Sequence, residues 1–431
     1  MTRRSPRLGA VASLAAGLAA CASPTVEFDS QPIFVRRELS AATELGAPAV
    51  LVAQVVLTTI GGNSGAASVG LPHPVVVDTA APVTLLPLGA DSTARALVDG
   101  RLVRADRPSV TRLILGGISV FNGDVLAADP ATQRVGLGTT TEVRGVLGVD
   151  VLGRFAVRFE YGDPSPAITL FPNNPLTDEE LENAGQAVFR AAPAGGGLFF
   201  VDEGPRGTSR VSIGATRVVL QACVEPGRLD DPDGCPGTDM TFVVGTGFGP
   251  VVLTDEAVQR LRGAAPASHD GTLAQLGLTV PASPMALSEL VIVDDRDPAL
   301  GPCGELAVRR GLLKEGLTGV NDAVACGQSE CSGNDCVNRK NNSVLAATIR
   351  VAGETTAAAV SETRAPLEGL RAEIRPRFPE IDGILGGAFL RRFVFEFDYP
   401  NQRWIALRCS DPSDASCSVG PTGTSSDLRV P

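Results

Sequence analysis

The chain has 431 residues, with 37 Lys and Arg against 48 Asp and Glu, for a formal net charge of −11. That balance excludes the basic surface that nucleic acid requires, and the length is sufficient for two domains of ordinary size. Val, Gly and Pro are abundant, and apolar runs separated by Gly/Pro turns recur, a pattern that predicts a mainly β protein.

In chain order, Arg3, Arg4 and Arg7 form a positive start, and residues 8–20 form an uncharged run of small apolar residues too short to span a bilayer. This is the layout of a secretory signal. Its closing Leu18-Ala19-Ala20-Cys21 resembles the lipobox of bacterial lipoproteins. The resemblance implies a signal peptide over 1–20, a lipidated Cys21 as the new N-terminus, and attachment to a membrane of the cell envelope. Ala22 is not the acidic residue that retains some lipoproteins at the inner membrane, so the expected location is the outer membrane. An ordinary signal peptide with a cysteine near the cut is the alternative. Residues 21–44 read as a tether.

From residue 45 a repeated pattern begins. An apolar strand from Pro74 breaks at Asp78-Thr79-Ala80-Ala81 and resumes at Leu85-Leu86. A short helix is expected over Asp91 to Val98, with Gly100 beyond it. Residues 145–161 (GVLGVDVLGRFAVRFEY) then match residues 383–399 (GILGGAFLRRFVFEFDY) without gaps, eight of the seventeen positions being identical. The turn has a second copy as well. The apolar strand Thr241–Val244 breaks at Gly245-Thr246-Gly247-Phe248 and resumes at Val252-Leu253, followed by a helix with N-cap Thr254, Asp255 and Glu256 in its first turn, and an end near Gly263. The order strand, turn, helix, strands, Gly-x-Leu-Gly, strand is thus performed twice. It gives lobe 1 at 45–173, a linker at 174–197 with a capping-box start at Thr177, lobe 2 at 198–409, and a flexible tail at 410–431.

Eight cysteines remain after Cys21: 223, 235, 303, 326, 331, 336, 409 and 417. All fall in lobe 2 or at its edge, and an even number in an exported chain predicts four disulfides. Cys409–Cys417 and Cys223–Cys235, sequence neighbours across loop-like stretches, are the first pairs expected. A four-cysteine zinc site around 326–336 is the alternative. The interval from Asp78 to Gly145 is 67 residues and that from Gly245 to Gly383 is 138, so lobe 2 carries a cysteine-rich insertion.

With these motifs in place, the chain resembles the pepsin and retropepsin superfamily of aspartic peptidases. That family pairs an Asp-Thr/Ser-Gly turn with an apolar-apolar-Gly strand in each lobe. Asp78-Thr79-Ala80 answers to the first element, and Val146-Leu147-Gly148 and Ile384-Leu385-Gly386 answer to the second in both lobes. Leu113–Val120 and Phe389–Asp398 resemble further strands of such enzymes. The resemblance implies a mainly β, two-lobed fold, each lobe a β-barrel-like domain with a short helix. It also implies peptide-bond hydrolysis by two carboxylates that share a proton, one acting as base on water and the other as acid. Asp78 occupies the first catalytic position and Thr79 and Thr246 those of the bracing hydroxyls. The second acid position holds Gly245. Gly247 keeps the family glycine, whereas Ala80 reads as a mild substitution for its counterpart. Asp239 and Asp255 lie six and ten residues from the second turn, and no flap tyrosine is visible. His73 and His269 show no partner, so nucleophilic triads have no support.

The expectation is therefore a lipid-anchored, monomeric, catalytically degenerate relative that binds a peptide or protein between its lobes, with no cofactor or metal. The alternative is an active endopeptidase using Asp78 with an unrecognised second carboxylate.

Overall fold

The computed structural model describes residues 26–27, 33–34, 36–39, 48–60, 67–69, 73–81, 84–86, 95–98, 101–106, 110–115, 118–121, 126–128, 145–162, 166–190, 192–194, 197–202, 208–213, 217–225, 237–275, 278–293, 303, 347–361 and 381–421. The signal segment 1–20 and Cys21 lie outside them. The protein is mainly β, as expected, and the strands among the described residues form three sheets of fourteen, six and nine strands.

Both copies of the repeat build the same core. In the first, Val146–Leu147 lies parallel to His73–Val77 and antiparallel to Leu85–Leu86, with Val146 opposite both Val76 and Leu85. In the second, Gly383–Leu385 lies parallel to Thr238–Val244 and antiparallel to Val251–Thr254, with Ile384 opposite both Val243 and Val252. Successive residues of Val75–Val77, Val146–Leu147, Gly383–Leu385 and Val251–Thr254 are all buried, so both faces of these strands are covered, which explains why they read as continuous apolar runs. Their hydrogen bonds correspond one to one: Asp78 N donates to Leu147 O and Gly245 N to Leu385 O, both at 3.0 Å, while Val149 N donates to Ala81 O and Gly387 N to Phe248 O.

The closing strands of the two copies pair with each other in a six-stranded sheet that joins the halves. Ala156–Glu160 runs antiparallel to Phe393–Asp398, with Arg158 opposite Glu396. These two residues occupy equivalent places in the repeat, so the pseudo-twofold axis passes between them, as in an isologous dimer contact. Opposite charges at this self-facing position give a 3.0 Å ion pair between the apolar pairs Val157–Phe397 and Phe159–Phe395. Phe159 stacks on Phe395 with centroids 5.1 Å apart, and Phe159, Phe395, Phe397 and Trp404 are fully buried. Each such side chain contributes roughly 1.5–3 kcal/mol of apolar burial.

Several local expectations hold. Thr177 and Glu180 form the reciprocal capping box of helix Asp178–Asn183. Thr254 caps helix Asp255–Arg262, which ends at Gly263 in the left-handed region, φ 78°. Other expectations need correction. Where a helix was expected over 91–98, Arg95–Val98 is a strand, paired antiparallel with Arg101–Asp106. Val98 is paired directly with Arg101, so this stretch is one arm of an antiparallel pair rather than a helix. The supposed tether contributes three strands: Val26–Glu27 on Ile118–Phe121, Ile33–Phe34 on Ala167–Phe171, and Arg36–Leu39 on Pro48–Ile60. The linker supplies Ala187–Arg190 to the joining sheet, and the tail supplies Cys417–Pro421 against Ala347–Val360. These segments cover edges that would otherwise stay open.

Cys409 and Cys417 form a disulfide, as the sequence suggested. Cys223 is bonded instead to Cys303, with Cα atoms 4.8 Å apart. Its strand turns the thiol inward, where Val291, Val293 and Cys303 form a buried cluster. Asp239, directly opposite Cys223 in the ladder, accepts the Cys303 amide and holds it there. Cys235, Cys326, Cys331 and Cys336 lie outside the described residues.

Candidate functional site

Asp78-Thr79-Ala80 and Gly245-Thr246-Gly247 each follow the buried end of a strand, Val75–Val77 and Phe242–Val244, and they meet on the pseudo-axis. Four hydrogen bonds tie them. Thr79 N donates to Thr246 Oγ1 at 3.1 Å, and Thr246 N donates to Thr79 Oγ1 at 3.2 Å. Each hydroxyl then donates onward into the opposite half, Thr79 to Val244 O at 2.8 Å and Thr246 to Val77 O at 2.7 Å. All donors and acceptors are buried and satisfied, so each threonine is at once donor and acceptor across the interface. The structure therefore brings Asp78, Thr79, Gly245 and Thr246 together as the sequence placed them.

Asp78 does not stand over its own turn alone. Its Oδ1 accepts from Ala80 N at 2.8 Å and from Gly247 N, in the other half, at 3.2 Å. The residue is 1% exposed. Burial pushes its carboxyl above the ordinary range; the Ala80 and Gly247 amides and the charge of Arg217 pull the other way without cancelling the desolvation. Arg217 itself is fully buried and donates from Nε to Ala80 O at 2.7 Å, bracing the turn from behind. Nothing in its surroundings in sequence, an apolar strand running from Arg217 to Val224, announces that position.

Glycine at 247 is required by contact rather than by conformation. A Cβ there would lie 2.4 Å from both Cγ and Oδ2 of Asp78. Gly245 is enclosed as well. A Cβ at this position would meet Ile384 Cγ2 at 2.7 Å, Phe248 Cδ2 at 2.9 Å and Ala80 Cβ at 3.1 Å. The Ala80 methyl thus faces the side of Gly245 where a Cβ would stand.

Another acid, Asp150, follows Val149, whose amide donates to Ala81 O of the first turn, and it accepts from Thr84 Oγ1 at 2.7 Å. Asp239 lies six residues back along its strand, about 20 Å by strand rise. Asp255 Oδ1 accepts from His269 Nε2 at 2.9 Å, so that histidine has a partner after all. Among the described residues, no group of three or more His, Cys, Asp or Glu side chains could hold a metal ion. Tyr161 and Tyr399, the equivalent last residues of the repeat, are buried; burial first and the charge of Asp78 second push both phenols up. One lone carboxyl of raised affinity for its proton, held by two amides, can accept or release a proton. It cannot act as base toward water and acid toward a carbonyl in the same step.

No protein-family model matches the sequence, and no curated protein is similar to it. Among solved structures, the chain is similar to the aspartic proteinase from Irpex lacteus, at 12% identity and a TM-score of 0.39 over 91% of this chain and 100% of that one. It is also similar to the basic 7S globulin from soybean, at 10% identity and a TM-score of 0.38 over 90% of this chain and 100% of that one. At these values neither likeness adds to what the doubled topology itself establishes.

Proposed function

We propose that this protein is a lipid-anchored relative of the aspartic peptidases that has lost the peptidase reaction and uses the space between its halves to bind a peptide or protein. One observation carries the reading: the two turns meet as a catalytic pair would, yet opposite Asp78 stands Gly245, enclosed by Ile384, Phe248 and Ala80. Proton sharing between two acids is the chemistry of the family, and here one acid is present. The retained Thr79–Thr246 brace, with Asp78 across both turns, serves to keep the halves in register, so that an extended ligand meets a fixed surface.

The test is incubation of the exported full-length protein with a mixed pool of peptides from pH 2 to 8, reading cleavage by mass spectrometry and binding by calorimetry. Saturable binding without cleavage, unchanged by Asp78→Asn, is expected. Cleavage abolished by Asp78→Asn would establish an active enzyme instead, and absence of both would leave a scaffold without a peptide ligand. The anchor is tested separately: fatty-acid labelling should depend on Cys21, and labelling that survives Cys21→Ser would refute it.

A further inference from the structure

The repeat permits the surroundings of Asp78 and Gly245 to be compared position by position. Around Asp78 the equivalent places hold Val146, Ala81 and Gly247; around Gly245 they hold Ile384, Phe248 and Ala80. All three are larger on the Gly245 side, and the increase from Ala81 to Phe248 is a whole ring. Phe248, Ile384 and Ala80 belong to one buried cluster with Val243 and Val252. Ala80 and Phe248 are 3% and 2% exposed, so the volume is filled by protein.

Backbone conformation does not call for glycine at this point, since Gly245 is not among the residues with positive φ. The glycine answers to packing. Across the axis the pairs are reciprocal: Asp78 lies against Gly247, which has no room for a Cβ, and Gly245 lies against Ala80, which supplies one. Acid and glycine have been exchanged together on one diagonal and kept together on the other.

Resting on the reading of the junction as a pair that has lost one acid, we propose that Ala80, Phe248 and Ile384 are the residues that commit it to a single carboxylate. They form an apolar plug in the second acid's place, and the change at Gly245 is one part of a coupled set. Restoring Asp at 245 alone therefore places a carboxylate inside the plug, where neither its volume nor its charge is accommodated.

The experiment is a pair of double-mutant cycles on the full-length protein, read by thermal midpoint. Gly245→Asp and the milder Gly245→Ala are each combined with Ala80→Gly and with Phe248→Ala. Every single change should lower the midpoint. The combinations should lose less than the sum of their parts, by about 1–3 °C, which corresponds to the coupling expected of residues in contact in a chain of this length. Additive losses in the Gly245→Ala cycles would overturn the proposal even if the Asp variants do not fold. For folded Gly245→Asp variants, carboxyl NMR should show two coupled titrations when Ala80→Gly is present. Two independent titrations would also count against it. None of these readings depends on cleavage, so peptidase activity of the unmodified protein would refute the proposed function and leave this inference standing or falling by its own cycles.

Discussion

Replacing Asp78 by Asn and by Ala separates its part as a fastener from its part as an acid. Oδ1 accepts two buried amides, Ala80 N at 2.8 Å within its turn and Gly247 N at 3.2 Å across the axis. Alanine strands both donors away from water. At about 1–3 kcal/mol for each unsatisfied buried group, Asp78→Ala should cost ~2–6 kcal/mol. Asparagine keeps an oxygen in the same place and should lose little of this. The two variants should also differ in their response to pH. Burial raises the folded carboxyl above its ordinary value of 3.8, so the folded state holds the proton more tightly than the unfolded chain does. The contribution of Asp78 is then complete below that value and is lost as pH rises through the folded pKa. Asn does not titrate, so Asp78→Asn should gain on the unmodified protein with increasing pH. Removal of the charge facing Arg217 opposes this gain, but that charge is a smaller influence on Asp78 than desolvation. Urea denaturation of the three proteins from pH 4 to 8 measures both effects. If Asn costs as much as Ala, or if its difference from the unmodified protein is flat with pH, Asp78 is not the buried, proton-holding fastener described.

Thr79→Val and Thr246→Val should each cost about 2–6 kcal/mol by urea denaturation, since each leaves a buried amide and a buried carbonyl in the opposite half unpaired; Thr→Ser at either position should restore most of the loss. Asp150, pushed up to about 6 by burial against the pull of the Thr84 hydroxyl, should make stability fall as pH rises from 3.8 through about 6, and Asp150→Asn should flatten that step. The Cys223–Cys303 bridge closes 80 residues and Cys409–Cys417 closes 8. By chain entropy their removal should cost about 4.5 and about 2.5 kcal/mol respectively, so equal losses on Cys→Ser replacement would contradict the loop-length account.

Local chemistry made much of this protein legible in its sequence. A cap acts within three residues of itself, which is why Thr177 and Thr254 with Gly263 announced their helices correctly. The doubled Gly-x-Leu-Gly pattern announced two equivalent cores, and Thr79 and Thr246 could be matched because the same strand and turn precede both. The failures share another cause. Val26–Glu27, Ile33–Phe34 and Cys417–Pro421 are strands only because distant partners offer them an open edge, and such short segments carry no periodicity of their own. Cys223 took a partner 80 residues away in preference to a neighbour because its strand turns it into the core. The site divides along the same line. That Asp78 has no acidic counterpart was written in the sequence at Gly245. That its oxygen spans both turns, that Arg217 lies buried behind it, and that Ala80, Phe248 and Ile384 enclose Gly245 were decided by tertiary structure. Those contacts join residues up to 169 positions apart, and only the closing of the two halves on their axis sets which atoms compete for the same few ångströms.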